Sequence, residues 1–571
     1  MWTNRCITSI IGCEFKKLSI VALNSCVRLH QRTQYKKNKN KYRHNKGQNL
    51  FKLLFLTFAS LSLSFNLSAK PWLDAGDIRL RHHLQILSDA GYLKAPLTTW
   101  PLSAEDIDAQ LRQAIDREIL KPAVKSSLNY VNLRIKKNRS YSSFSVGANL
   151  RTKTLLIRDF SGEGREKVST YIDGSWGNTF IDARLKLSAA KQAHTTLYLF
   201  SDPDDLNDNG FQTILNKKND AIHPDNSIAR LDESYLSSEL GNWKITAGKQ
   251  SRWWGPSWDG SLILSNNARP IPSLSLENIN SEAFENKFLN WIGPNKFHLF
   301  VGLLEPSREI SKPKFFGFRY NFKPKVFKNF EVGLSRTLMW GGNDQDESIS
   351  DLFITILGVN SNVYGDRISG NTLASIDMRW KLPLENIDNA YTLYGQYLVE
   401  DTGNSIFGGD EILQLGGSIS GYSTSLDGSW RTYMEVADTS SGLFAGDDRN
   451  NTVYNHGQYL NGYRHLGMSI GHGIDSDSTL ISFGSILTRN NGDFWRSWLK
   501  IAELDLEKTQ DGINPLAEPK GRRWAAVGIS YETDLNQRTR VNAGAQIISD
   551  KPINKKLKTS VAGNIGLVYK F

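Results

Sequence analysis

The last twelve residues, Ser560-Val-Ala-Gly-Asn-Ile-Gly-Leu-Val-Tyr-Lys-Phe571, alternate with period two and end on an aromatic. In a strand, successive side chains point to opposite sides. Val561, Ile565, Leu567, Tyr569 and Phe571 then share one face, and Ser560, Ala562, Asn564 and Lys570 the other. A half-buried strand of a soluble sandwich carries the same alternation. A chain that ends on such a strand, at an aromatic, fits the closing strand of a barrel set in an outer membrane, with apolar side chains toward lipid and aromatics at the interface.

The same pattern recurs upstream. Phe316, Phe318, Tyr320 and Phe322 alternate with Gly317, Arg319 and Asn321, and Ile376, Met378 and Trp380 with Asp377, Arg379 and Lys381. Val541, Ala543, Ala545 and Ile547 alternate with Asn542, Gly544 and Gln546. About 430 residues at roughly 24 per strand and connection give about 18 strands, an even number as barrels require. Ser201–Gly210 and Gly342–Glu347 are polar and turn-rich and read as outer loops. Beyond residue 70 no uncharged apolar stretch reaches the length of a spanning helix. An integral protein built from this region must therefore cross with a closed sheet.

The formal net charge of +11 misleads. Residues 1–69 hold twelve Lys and Arg and a single acid, Glu14, so they carry the whole excess. The rest is neutral, and the basic balance gives no warrant for nucleic-acid binding. Cys6, Cys13 and Cys26 also lie in this leader, so the remainder has no disulfide, thiolate ligand or cysteine nucleophile. A Lys-rich run, an apolar core from Leu50 and a small-residue end at Ser68-Ala69 have the order of a secretory signal. The preceding 49 residues are long for a basic region and leave two readings, a true start near Leu50 or a real, extended leader.

Residues 70–138 are predicted to form a small helical bundle. Ile78, Leu80, Leu84 and Leu87 follow helical spacing and stop at Ala90-Gly91. Ser103-Ala-Glu-Asp106 is a capping box, and Pro122 opens a third helix. His82 and His83 are adjacent, do not share a helix face, and read as solvent-side or packing residues.

Two clusters bear on function. Gly248-Lys-Gln-Ser-Arg-Trp-Trp-Gly-Pro-Ser-Trp-Asp259 puts Trp253, Trp254 and Trp258 beside Arg252 and Asp259. Indole faces with hydrogen-bonding charged groups suit a sugar polymer, on a loop or strand end reachable from outside. An interface girdle or packed lumen would use the same residues. The second cluster, Tyr463–Ser478, holds Tyr463, Arg464, His465, His472, Asp475 and Asp477. It has no paired-histidine zinc spacing and no Gly-x-Ser-x-Gly elbow, so hydrogen bonding inside the lumen is its simpler reading. Glu435 reads the same way. No metal, cofactor or catalytic residue is expected.

With Ala75-Gly-Asp77, Thr99-Trp-Pro-Leu102, Gly248–Pro272, Leu334-Ser-Arg-Thr337 and Tyr463–Ser478 in view, the sequence resembles the capsule-assembly Wzi family of Gram-negative outer-membrane proteins. The resemblance implies an all-β transmembrane barrel of about 18 antiparallel strands over 139–571, plugged by the helical bundle of 70–138 behind a leader of 1–69. It implies lectin-like, non-enzymatic binding of capsular or other surface polysaccharide, with outer-membrane lipid, and the capsule-export machinery as a further candidate partner. The candidate sugar-binding residues are Arg252, Trp253, Trp254, Trp258, Asp259, Tyr463, Arg464 and His465. A diffusion channel for small polar solutes or oligosaccharides is the alternative. A hydrolase would need an acid–base or nucleophile set that no spacing reveals. The charge division and the Ser68-Ala69 end predict a mature, net-neutral protein that begins near Lys70. N-terminal sequencing of protein taken from outer-membrane fractions checks this, and an N-terminus before residue 50 would contradict it.

Overall fold

The computed structural model describes residues 71–114, 120–138, 142–177, 181–192, 199–200, 214–215, 227–327, 329–343, 345, 370–384, 388–400, 410–441, 452–456, 459–505, 514–517, 521–553 and 555–571. The leader and the Ser201–Gly210 loop lie outside these residues, as do Asp344, Asp346 and Glu347 of the Gly342–Glu347 loop.

Eighteen strands form one antiparallel sheet. They are β1 (Ser142–Arg151), β2 (Glu166–Gly177), β3 (Ile181–Gln192), β4 (Tyr235–Leu240), β5 (Trp243–Lys249) and β6 (Pro272–Asn278). Then come β7 (Asn295–Leu303), β8 (Lys314–Phe322), β9 (Phe330–Trp340), β10 (Asn371–Lys381), β11 (Ala390–Glu400) and β12 (Asp410–Ser423). The last six are β13 (Gly428–Asp438), β14 (Ser478–Arg489), β15 (Phe494–Leu504), β16 (Arg522–Asp534), β17 (Thr539–Pro552) and β18 (Lys558–Lys570). Each pairs with its neighbour in sequence, and Ser227–Arg230 adds a short piece along β3. The sheet closes where β18 pairs with β1, from Asn564 opposite Arg151 to Lys570 opposite Ser145.

Side-chain direction decides between a membrane barrel and a soluble sandwich. Ile376 and Met378 are exposed while Asp377 and Arg379 between and beyond them are buried. Val561, Ile565 and Leu567 are exposed, and Ala562 is buried. Arg319, Glu331, Arg431, Glu435 and Lys500 all point into the closed interior and are buried there. A sheet with apolar residues outside and charges inside is stable only with lipid around it. Connections at one end are short, as at 241–242, 424–427, 490–493 and 535–538. At the other end they include 250–271, 341–370 and 439–477. By the rule of short periplasmic turns and long outer loops, the first end faces the periplasm.

Three helices precede the barrel: α1 (Ile78–Asp89), α2 (Ala104–Ala114) and α3 (Pro122–Asn138). Asp77 caps α1 by accepting from the Leu80 amide at 2.9 Å. Gly91, at φ +81°, takes the left-handed turn that ends it. Ser103 accepts from the Asp106 amide at 3.3 Å to open α2, and Pro122 begins α3. Every residue of α1 is buried, although its sequence is far from uniformly apolar. The reason is that α1 lies inside a polar lumen, near the short turns. Arg79 donates to the Gly492 carbonyl at 2.9 Å. His82 bonds Ser429 on β13 at 3.1 Å, and His83 bonds Ser127 on α3 at 3.0 Å. Both histidines are thus packing residues and neither meets solvent. Burial holds each well below the usual histidine range, so both are neutral.

The C-terminal Asp89 of α1 docks the helix against the wall. Arg379 on β10 bonds it at 2.5 Å, and Arg431 on β13 lies 3.6 Å away. Asp89→Ala is expected to leave two buried guanidinium groups without this carboxylate, at a cost of about 3–5 kcal/mol. The helices should then sit loosely in the lumen, and planar-bilayer conductance should rise above that of the wild type. An unchanged conductance would show that closure does not depend on this pair.

Candidate functional site

The tryptophan-rich segment is the 250–271 connection, and it folds inward from the outer end as a strap across the lumen. Trp253 and Trp254 pair as a short strand with Trp100 and Thr99, in the segment between α1 and α2. The Gly255 amide donates to the Thr98 carbonyl at 2.9 Å, and the Trp254 amide to the Leu264 carbonyl at 3.0 Å. The strap is thereby stitched to the plug on one side and to its own return limb on the other.

Its three indoles have separate seats. Trp253 stands edge-on to Phe160 at 5.1 Å. Trp258 stacks on Tyr433 of β13 at 5.6 Å, with planes 16° apart. Trp254 turns the other way and packs edge-on to His298 and Phe300 of β7, each at 5.5 Å. Trp253 and Trp258 therefore join the apolar cluster of the helices, while Trp254 joins the cluster of the outer loops. Arg81 of α1 is wedged between them. Its guanidinium lies 4.3 Å from the Phe160 ring centre and 4.5 Å from that of Trp258. It donates to the carbonyls of Pro256 at 2.7 Å and Ser257 at 2.8 Å. Burial lowers its pKa to about 9, against the upward pull of Glu435, so it stays a cation at neutral pH.

Wall residues hold the strap's backbone. Glu435 accepts from the amides of Trp258 at 2.6 Å and Asp259 at 2.9 Å, and from the Tyr394 hydroxyl at 2.8 Å. Gln396 accepts from the Leu262 amide at 2.7 Å and donates to the Trp254 carbonyl at 3.1 Å. Asp259 forms an ion pair with Lys500 of β15 at 2.9 Å, and Arg252 lies over the Phe300 ring at 4.5 Å. A side chain at Gly260 has no room, since its Cβ would lie 1.9 Å from His472 Nε2.

The second cluster sits on the 439–477 loop and covers the strap from outside. Tyr463 donates to the Ile263 carbonyl at 2.7 Å and stacks on Tyr454 at 5.7 Å. Tyr454 in turn donates to the Leu262 carbonyl. Arg464 grips Asp475 through both sides of its fork. His465 Nδ1 is 2.7 Å from Glu305, which also meets Arg308 at 3.3 Å. Arg308 donates to the Gly462 carbonyl at 2.8 Å. Burial works against ionised Glu305, but the His465 hydrogen bond and the Arg308 charge outweigh it and hold the carboxyl down to about 2.

All eight candidate residues are buried, with Trp253, Trp254, Trp258, Asp259 and Tyr463 at 2% exposure or less. The expectation of indoles on a loop reachable from outside is not met, because a lumen that must be filled takes up the same flat apolar faces. The two clusters, far apart in sequence, meet where Tyr454 and Tyr463 reach the strap carbonyls. Arg81, Gln396, Tyr394 and Lys500 were not singled out by sequence reasoning. At inward strand positions, Gln396, Tyr394 and Lys500 look like any other lumen residue. Arg81 carries no more signal than its neighbour Arg79. Among the described residues, polar cavities flank the filled column. One of about 340 Å³ lies against β2 and β3, and one of about 230 Å³ against β15–β18.

Comparison with known proteins agrees with this architecture. A Klebsiella pneumoniae relative, an uncharacterized 55.8 kDa protein in the cps region, is 26% identical over 487 residues, 85% of this chain and 87% of its own. A solved structure of Wzi from Escherichia coli, an outer-membrane protein involved in group 1 capsule assembly and a carbohydrate-binding β-barrel, superposes with a TM-score of 0.70 at 22% identity. It covers 87% of this chain and 99% of that one. The sequence profile of the capsule assembly protein Wzi matches residues 136–560, and the chain belongs to that family.

Proposed function

We propose that this protein binds capsular polysaccharide at the outer face of the outer membrane and helps attach or assemble it there, in a lectin-like way and without catalysis. The observation that carries this is the filled lumen. Helices, strap and outer loops form one packed column, which gives the long loops a fixed base in place of an open pore. A fixed base is what repeated weak contacts with a polymer need. Each contact gains from multivalency only if the surface holds its geometry. The carbohydrate binding described for the Escherichia coli protein supports the same reading. The packed column of described residues favours this reading over a diffusion channel, which needs an open path.

In this proposal the eight candidate residues act from beneath the surface. Arg252, Trp253, Trp254, Trp258 and Asp259 anchor the strap, and Tyr463, Arg464 and His465 set the loop that covers it. The sugar contacts themselves belong to the outward side of the long loops.

Trp254→Ala with Trp258→Ala tests this. Each change removes a buried indole from a different cluster, and truncating a buried Trp costs about 3–5 kcal/mol. The strand ladders do not depend on either ring, so heat-modifiable migration on gels should persist. Capsule should be released into the medium, and purified polysaccharide should bind the variant at least tenfold more weakly, the factor that about 1.4 kcal/mol produces. The volume-sparing Trp258→Phe should retain capsule. A folded double variant that holds capsule at wild-type levels would show that polymer binding is independent of the strap.

A further inference from the structure

One periplasmic-end connection breaks the short-turn pattern. Residues 279–294, between β6 and β7, are long and carry Phe284, Phe288, Leu289 and Trp291. They lie beside residues 323–327 of the connection between β8 and β9, joined to them where the Lys325 amide donates to the Trp291 carbonyl at 2.9 Å. Lys325 Nζ also bonds Asn290 Oδ1 at 2.6 Å. Phe288 is 86% exposed, Val326 74%, Phe327 63% and Trp291 52%. So much apolar surface in one patch needs a partner.

Two observations identify it. The first is where the rings rest. Trp291 packs edge-on to Phe322 at 6.4 Å, and Phe327 to Phe330 at 5.9 Å. Phe322 lies beyond the buried Asn321, and Phe330 precedes the buried Glu331. Phe322 and Phe330 therefore point outward, on the lipid-facing wall. The patch continues that wall and its aromatic belt without a break, through Trp243, which meets Phe297 at 5.6 Å. The second is the height of the wall. β4 has six residues and β5 and β6 seven each, while β12 and β17 have fourteen. A spanning strand needs about 9–11 residues. The barrel is thus lowest in the sector next to the patch, where a hydrophobic mismatch arises.

We propose that 281–292 and 323–327 form a foot immersed in the headgroup–acyl boundary of the periplasmic leaflet. Phospholipid is its partner. The foot adds apolar depth beside the shortest strands, and Lys287 and Lys325 reach back to the phosphates. Lys287, Lys323 and Lys325 stand against Glu282 and Glu285, and Lys323 turns inward to Ser88 at 2.8 Å, so the net charge of the foot is only +1. Aromatic burial at the interface, not recognition of an anionic lipid, carries the contact.

The three native cysteines all precede residue 70. In a Cys6→Ser, Cys13→Ser, Cys26→Ser background, a nitroxide is placed singly at Phe288→Cys, Phe327→Cys and, as a control on another periplasmic turn, Ser425→Cys. Each protein is reconstituted in phosphatidylcholine vesicles and checked by heat-modifiable migration. Oxygen and nickel-chelate accessibilities are then compared by electron paramagnetic resonance. The depth parameter should be positive at 288 and 327 and negative at 425. A negative value at both 288 and 327 would overturn the proposal and leave the patch open to a periplasmic protein. The measurement is repeated with phosphatidylglycerol added to the vesicles, and positive values at 288 and 327 found only there would overturn a contact carried by aromatic burial.

Discussion

In hydrocarbon, a backbone amide has nothing but another backbone group to bond with. That constraint forces the sheet to close from β18 onto β1, and closure creates an interior whose walls cannot be apolar on both sides. The inward faces carry Arg319, Glu331, Asp377, Arg379, Arg431 and Glu435. Buried charges of this kind need partners. Some are met within the wall, as where Arg319 bonds Asp377 at 2.6 Å. Others are met by what fills the lumen: Asp89 of α1 takes Arg379, and the strap amides take Glu435. Plug, strap and outer loops are thus the complement of the wall's polar face. The assembly is specified by satisfying polar groups more than by apolar packing alone.

How much of this was legible depends on the range of the interaction. Period-two alternation is local, so Ile376 outward and Asp377 inward could be read directly, and the aromatic end at Phe571 marked the last strand. Helix signals are local too. Asp77, Gly91, Ser103 and Pro122 mark helix ends in the structure as their types suggest. The role of the tryptophans was not legible. An indole poised for a sugar and an indole filling a lumen have the same composition, and only the fold shows which face is free. Much of what holds the strap comes from residues more than a hundred positions away, such as Glu435 for Trp258 and Gln396 for Leu262. Nothing in the spacing links them. For His82 and His83 helix geometry left solvent-side and packing roles both open, and only the barrel around them decides for complete burial.

The division of labour among the three indoles explains why one short motif matters to both ends of the molecule. Trp253 and Trp258 belong to the helical cluster and Trp254 to the outer one, although the three are within six positions of each other. Trp253 and Trp254 are consecutive strand residues and so point opposite ways, and Arg81 sits on the side of Trp253 and Trp258, where the Phe160 and Trp258 rings and two carbonyls accept its cation. The strap is therefore shared between the plug and the outer loops and belongs to neither alone.

A surface that holds a polymer is also a surface that is pulled. The strap is continuous with β5 at one end and β6 at the other, and these strands pair with each other over seven positions from Trp243–Asn278 to Lys249–Pro272. Antiparallel hydrogen bonds run perpendicular to the strands. Tension passed from the outer loops through the strap draws β5 and β6 the same way, so the load falls sideways and together on the ladders that flank them, β4–β5 over six positions and β6–β7 over five. A zipper would yield them one by one. The path of the chain at 250–271 thus makes the wall resist a steady outward drag, of the kind a hydrated polysaccharide layer exerts on whatever tethers it.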